Sequence, residues 1–376
     1  MWQLKKMFFI LFFLILVSCD SQEIQIAKPS PSTPPKENFK NSKNYHSFFN
    51  DTMFQQFKIP EHQFAGIYDW LDTENVLVIQ TLSDYSVVQS FNIFSGEITE
   101  LYRSLYPIAQ LEINNVRDIA IHEATSTFDA SIVIIGEEGK VKDRWTFQSN
   151  ELFFTWNEYN PDLIMVTTFL EDWSFESYLI NTNEEVMEKV SAPNPFLYWF
   201  TSDELGYLDW DLNDPKLSAP LYKFSYEENE HKLLLENTVS FHKQGGYLLA
   251  IQIDNDNFSD LSTSIIDYLS METKAQYVLP TLTMYSTIVP PHVDYNGEQN
   301  EFYIIMPYES GSLDSYEGEF KLVSLSENGE MQTLLNQVEN KPFKLSPDGN
   351  FALFGYQLEQ IIDFQTETVV ELVHVQ

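Results

Sequence analysis

Residues 151–190 read ELFFTWNEYN PDLIMVTTFL EDWSFESYLI NTNEEVMEKV, and within them four short runs of strand-forming residues are divided by turn chemistry. The runs are Leu152 to Trp156, Leu163 to Phe169, Ser174 to Ile180 and Glu185 to Val190. Asn-Pro-Asp, Glu-Asp-Trp and Asn-Thr-Asn stand between them; Pro presets a turn φ, and Asn and Asp side chains bond their own backbone. The second run is almost wholly apolar, as a strand covered on both faces must be. The fourth is charged, as an open edge must be to resist pairing with other chains. This stretch predicts one four-stranded antiparallel sheet.

The pattern recurs. Short turns between two strand-like runs fall at Gly96, Gly139, Asn183, Asn229, Thr273, Gly329 and Glu367. Their spacing is roughly 40–55 residues, about what one propeller blade consumes and far more than a leucine-rich repeat. Repeats are expected near 64–104, 105–150, 151–192, 194–237, 238–281, 282–340 and 341–376. The fold class is therefore all-β, a β-propeller of four-stranded antiparallel blades, seven by repeat count. Six is the alternative, because the first strand of the second repeat, Gln110 to Ile113, is weak. The sixth repeat is stretched by an insertion expected around Asn296-Gly297 and Ser310 to Gly318. In the last repeat, Ser346-Pro347-Asp348-Gly349 suits a type I turn and resembles the first-hairpin motif of TolB-type propellers. A pair of β-sandwiches is the competing arrangement, since regularly spaced short strands suit that class too.

The N-terminus carries an address. Lys5 and Lys6 precede an unbroken apolar run, Met7 to Val17, too short to span a bilayer as a helix. The run ends in Leu16-Val17-Ser18-Cys19, which resembles a bacterial lipobox. The resemblance implies residues 1–18 as a lipoprotein signal peptide, a diacylglycerol thioether on Cys19 and an acyl chain on its new amine. Cys19 is the only cysteine, so after acylation neither a free thiol nor a disulfide remains and the fold stands on its core alone. Residues 19–44 hold Pro29, Pro31, Pro34 and Pro35 among Ser, Asn and Lys, which predicts a disordered tether. Residues 45–376 are left for the propeller.

The formal charge is −35, with 21 Lys plus Arg against 56 Asp plus Glu. Nucleic acid is excluded as a partner, because phosphate binding needs a basic patch. Loops joining the second and third strands of every blade emerge on one face; they are expected at 82–85, 123–128, 170–174, 209–217, 254–261 and 308–317. These windows are rich in acids, and Lys216 is their only basic residue. Glu171, Asp172, Asp209, Asp211, Asp214, Asp254 and Asp256 would crowd one rim, with Trp173 and Trp210 among them. Such a rim would attract divalent cations, basic peptide or amino sugars, with indoles available for stacking. The plain alternative is a set of solvated loop residues.

Short catalytic motifs are missing. Asp254-Asn255-Asp256-Asn257 begins like a calcium loop, but Phe258 occupies the third ligand position and no Gly follows. The histidines are scattered, and no nucleophile elbow or phosphate loop occurs. No catalytic residue, metal site or cofactor is therefore expected. Trp145, Trp156 and Trp199 fall in strand patterns and should pack between blades.

The segments Trp156-Asn157-Glu158-Tyr159-Asn160, Phe169 to Phe175 and Tyr207-Leu208-Asp209-Trp210-Asp211 are similar to those of the YqgU-like lipoproteins of Bacillus and its relatives. The resemblance runs from the lipobox to the C-terminus. It implies a propeller, usually of six blades, with no assigned activity and hence no catalytic residues to carry over. The expectation is a lipid-anchored, extracytoplasmic binding or scaffolding module for an envelope protein or glycan, held at the cell membrane through Cys19. The alternatives are a carboxylate-dependent glycosidase or lyase acting on envelope polysaccharide, and an assembly factor of the TolB kind.

Overall fold

Each strand pattern became a strand. The computed structural model describes residues 53–211, 216–254, 257–285 and 287–376; the side chains of 254, 257 and 258 also stand outside the description, as do the expected leader, Cys19, the expected tether and residues 45–52 of the expected propeller. Five four-stranded antiparallel sheets occupy 64–104, 108–148, 151–190, 292–338 and 343–371, and a seven-stranded sheet spans 198–280. In each four-stranded sheet the strands lie side by side in chain order.

The seven-stranded sheet divides inside the strand Glu230–Gln244. Its first part pairs back onto Ala219–Ser225 and its last part pairs forward onto Tyr247–Asp254, Thr238 being paired with both Ala219 and Gln252. Between them Asn237 takes the left-handed conformation, φ 54°, and breaks the register. The sheet is thus two blades sharing one continuous strand, which makes seven four-stranded blades among the described residues. They are numbered here in chain order, blades four and five being the shared pair.

Burial explains why the sheets radiate. In blade three the second strand, Leu163–Phe169, is buried along nearly its whole length while the outer strand, Val186–Val190, is exposed. Seven separate apolar clusters result, each between consecutive blades: one with two, two with three, and so on round to seven with one. The last cluster sets Phe351 and Leu353 of blade seven against Phe64, Ile67 and Val76 of blade one, with Phe54, Phe57 and Ile59 over the seam. A fully buried side chain of this size contributes about 2 kcal/mol. A second seal lies beside it, where Phe57–Ile59 pairs in parallel with Val373–Val375. The two-sandwich alternative fails, because each blade buries its two faces against two different neighbours.

Local expectations need four corrections. The first strand of the second repeat is Ile108–Ile113, fully paired with Ile119–Ala124, so that repeat is a complete blade. The hairpin expected at Thr273 turns instead at 268–271, with Met271 at φ 56°, and Thr273 is already paired with Ile266. Asn296-Gly297 is the tight turn closing the strand His292–Asn296, not an insertion; the added material is a small sheet of Leu282–Met284, Thr287–Val289 and Gly311–Ser312. Finally, one of the windows expected as rim loops, 254–261, is largely strand where described, and another, 123–128, begins in strand. Glu123 belongs to Ile119–Ala124 and is 1% exposed, and 257–261 open the strand Asn257–Asp267. Ser346 to Gly349 form the expected first hairpin of blade seven, Gly349 N–H donating to Ser346 O at 2.8 Å.

Candidate functional site

Two surfaces of the ring carry chemistry. The first is the rim on which second and third strands connect. Tyr85, Phe128, Trp173, Trp210, Tyr308 and Tyr356 each sit on a different one of these connections. The corresponding turn of blade five, 255–256, lies outside the described residues. Every described connection therefore carries at least one aromatic ring, and Trp173 and Tyr356 are 71% and 74% exposed.

The candidate carboxylates distribute unevenly along this rim. Glu171, Asp172 and Trp173 occupy the connection of blade three; Asp209, Trp210 and Asp211 occupy that of its neighbour, blade four. Asp172 is held in its own turn by Ser174 N and Oγ, at 3.0 and 2.5 Å, and these bonds keep its carboxyl below the usual range. Trp173 adopts φ 64° at the turn, which turns its indole outward. Asp214 and Asp256 lie outside the described residues, and Asp254 ends the strand Tyr247–Asp254 with no side chain described. Two rim rings already hold cations of this chain: the Arg103 guanidinium lies 4.4 Å from the Tyr85 centroid, and Lys321 Nζ 5.1 Å from that of Tyr308.

The second surface is the central channel, which sequence reasoning did not reach. Its main cavity, about 720 Å³, is lined chiefly by the innermost strands, and a second of about 410 Å³ shares Asp69, Asn114 and Lys344 with it. Carboxyls here bracket one blade to the next. Glu112 Oε2 of blade two accepts the Trp156 amide of blade three at 2.9 Å. Asp294 Oδ2 of blade six accepts the Leu345 amide of blade seven at 2.6 Å. Lys344 Nζ of blade seven donates to Asp69 Oδ2 of blade one at 2.5 Å. Burial raises the Glu112 carboxyl to about 7 and that of Asp294 to about 6. Burial opposes the charged form of Lys344 too, but the Asp69 carboxylate outweighs it and holds the ammonium above its ordinary value.

Trp156 to Asn160 form a belt. Blade four contributes only Tyr198–Trp199 as its innermost strand, and across this short strand the loop after Trp156 reaches from blade three to blade five. Glu158 Oε1 accepts from Gln244 Nε2 at 2.7 Å, and Tyr159 OH accepts from Lys243 Nζ at 2.8 Å. Asn157, wholly buried, donates to Thr201 O and Ser202 O while its Oδ1 accepts the amides of Tyr159 and Asn160. Trp156 and Trp199 pack between blades and also line the cavity. His242 and His292 line it as well, His242 pushed down to about 4 by burial.

A model of the YqgU-like 6-bladed beta propeller domain matches residues 92–355. The chain belongs to this family. The matched span holds five whole blades and parts of two more, and the ring is completed by strands on either side of it. The uncharacterized lipoprotein YqgU of Bacillus subtilis is 24% identical over 320 residues, 82% of this chain and 84% of that one. Among solved structures, an uncharacterized Listeria monocytogenes protein, lmo1340, superposes with a TM-score of 0.78 at 21% identity, over 86% of this chain and 98% of that one. Oligogalacturonate lyase of Vibrio parahaemolyticus shares the fold at 10% identity, with a TM-score of 0.56 over 85% of this chain and 90% of that one. No helix among the described residues is long and apolar enough to cross a membrane.

Proposed function

We propose that this YqgU-like lipoprotein propeller is a non-enzymatic binding module, anchored through Cys19 at the outer side of the cytoplasmic membrane, whose aromatic and acidic rim docks a basic segment of an envelope protein. The observation that carries this reading is the recurrence of at least one aromatic ring on every described connection between second and third strands, with carboxylates beside the indoles of blades three and four. A guanidinium or ammonium seated over such a ring gains about 0.5–1 kcal/mol at an exposed site, and a neighbouring carboxylate adds a charge-assisted hydrogen bond. Arg103 on Tyr85 and Lys321 on Tyr308 are internal examples of that contact.

Crosslinking in intact cells tests it, using the full lipoprotein with a photoreactive side chain at position 173. A discrete protein adduct is expected, and it should be lost when Trp210 is replaced by Ala and Asp172 and Asp209 by Asn. Adducts to glycan alone, or a protein adduct indifferent to those substitutions, would overturn the reading. A carboxylate-dependent enzyme is less well supported, since Glu112 and Asp294 each engage a backbone amide of the next blade.

A further inference from the structure

The channel differs in kind from the rim, and its two sides differ from each other. Along blades three to five runs a chain of touching rings. Phe241 meets Tyr198 at 5.8 Å between centroids, Tyr198 meets Phe153 at 5.7 Å, Phe153 meets Phe196 at 5.5 Å, and Phe196 meets Phe169 at 5.7 Å. Phe153, Tyr198 and Phe241 line the 720 Å³ cavity, and Tyr198 is 45% exposed to it and the solvent beyond. An apolar body placed there would cover ring surface that the fold leaves bare.

Blades six, seven, one and two supply the other side. There Asp69, Glu112 and Asp294 surround a single ammonium, that of Lys344, which already donates to Asp69. The remaining charges near the cavity nearly cancel: Lys243 faces Glu158, and burial keeps His242 neutral. Ser240 lines the cavity as well, and its Oγ has no hydrogen-bond partner among the described residues. The charged side is therefore short of positive charge.

We propose that the central channel is a binding site for a small amphipathic organic cation, its apolar body against Phe153, Tyr198 and Phe241 and its ammonium toward Glu112, where the cavity meets the second one that Asp294 lines. The cavity volume falls in the range of small-molecule sites, which combine an apolar lining with a few convergent polar groups. Cations are also drawn to aromatic faces, so the ring wall and the carboxyls favour the same sign of charge. This site is independent of the rim reading: it uses other residues, and the ligand is of another size.

Three probes sharing a phenylalkyl body decide it: phenethylamine, 3-phenylpropan-1-ol and 3-phenylpropionate, titrated into the full-length protein. The readouts are calorimetry and the fluorescence of Trp156 and Trp199, which line the cavity. Phenethylamine is expected to saturate at least tenfold tighter than the carboxylate, with the alcohol between them. Glu112→Gln keeps an oxygen for the Trp156 amide, and together with Asp294→Asn it should weaken the amine at least tenfold. Tyr198→Ala, with an unchanged thermal melt as the control for folding, should weaken amine and alcohol alike. Asp172→Asn with Asp209→Asn on the rim should leave all three unchanged. Equal or tighter binding of the carboxylate would overturn the proposal. So would saturation by none of the probes, or an amine affinity indifferent to Tyr198→Ala.

Discussion

Lys344 and Asp69 stand 275 residues apart in the chain, and in the fold the ammonium of one lies 2.5 Å from a carboxylate oxygen of the other. The contact joins the last blade to the first, beside a bond from Trp70 Nε1 to Lys344 O at 2.9 Å. It is a latch on the ring from inside, complementing the apolar seam and the parallel pair of terminal strands.

Removing the latch should loosen closure. Lys344→Met leaves Asp69, only 8% exposed, without its cation. The expected loss is about 2 kcal/mol, the scale of a hydrogen bond to a charged group. Urea denaturation measures it; an unchanged midpoint would show that the seam alone closes the ring.

The channel carboxyls should make stability depend on pH. Glu112 and Asp294 titrate at about 7 and about 6 when folded, above the values they return to on unfolding. Between those limits the native state holds more protons than the unfolded one, so stability falls as pH rises from about 4.5 to about 7. The drop should be a few kcal/mol, less than the roughly 6 that the two shifts would give in full because both groups are part-exposed to the channel, and it should flatten in Glu112→Gln with Asp294→Asn. Denaturant midpoints across that range, for both proteins, give the comparison. Identical slopes would count against these two groups.

Asn157 should be the costliest side chain of the belt to lose. It is wholly buried and makes four hydrogen bonds to turns of blades three and four. Asn157→Ala strands those groups, at about 3 kcal/mol. A thermal melt within one degree of the parent would contradict this.

Two glycines separate steric from conformational strain. Gly139 and Gly329 both turn a hairpin between third and fourth strands at φ near 80°, so Ala costs about 1–2 kcal/mol at either. At Gly139 the added Cβ would also fall 2.1 Å from Leu101 O of the neighbouring blade, whereas at Gly329 it meets open space. Gly139→Ala should therefore lower the melting temperature clearly more than Gly329→Ala. Equal losses would mean that the outer edge of blade one yields freely.

Trp173 and Trp210 should be dispensable for folding. Trp173→Ala with Trp210→Ala is expected to shift unfolding by no more than about 0.5 kcal/mol, as surface changes do, while lowering the yield of the crosslinked partner. A large stability loss would place these indoles in the core.

What was legible in the sequence was what short stretches decide. The hairpin at Gly139 could be read because a left-handed turn wants glycine, and the edge strand of blade three because its charges suit an edge open to water. Thr273 misled, since Met271 takes the left-handed position two residues earlier under the constraint of the pairing on either side. Within the strand Glu230–Gln244 the repeat boundary expected between 237 and 238 coincides with the kink at Asn237, but that the two blades share one continuous strand has no glycine or proline to mark it.

The amino-acid sequence by itself determined the all-β class and the recurrence of four-stranded repeats, because turn chemistry and alternating burial act over a few residues. The tertiary structure alone decided the channel. Its aromatic side needs Phe153, Tyr198 and Phe241 from three blades, and its charged side needs Asp69, Glu112, Asp294 and Lys344 from four others. No local pattern encodes such a meeting, since it arises only when the seventh apolar interface closes the ring.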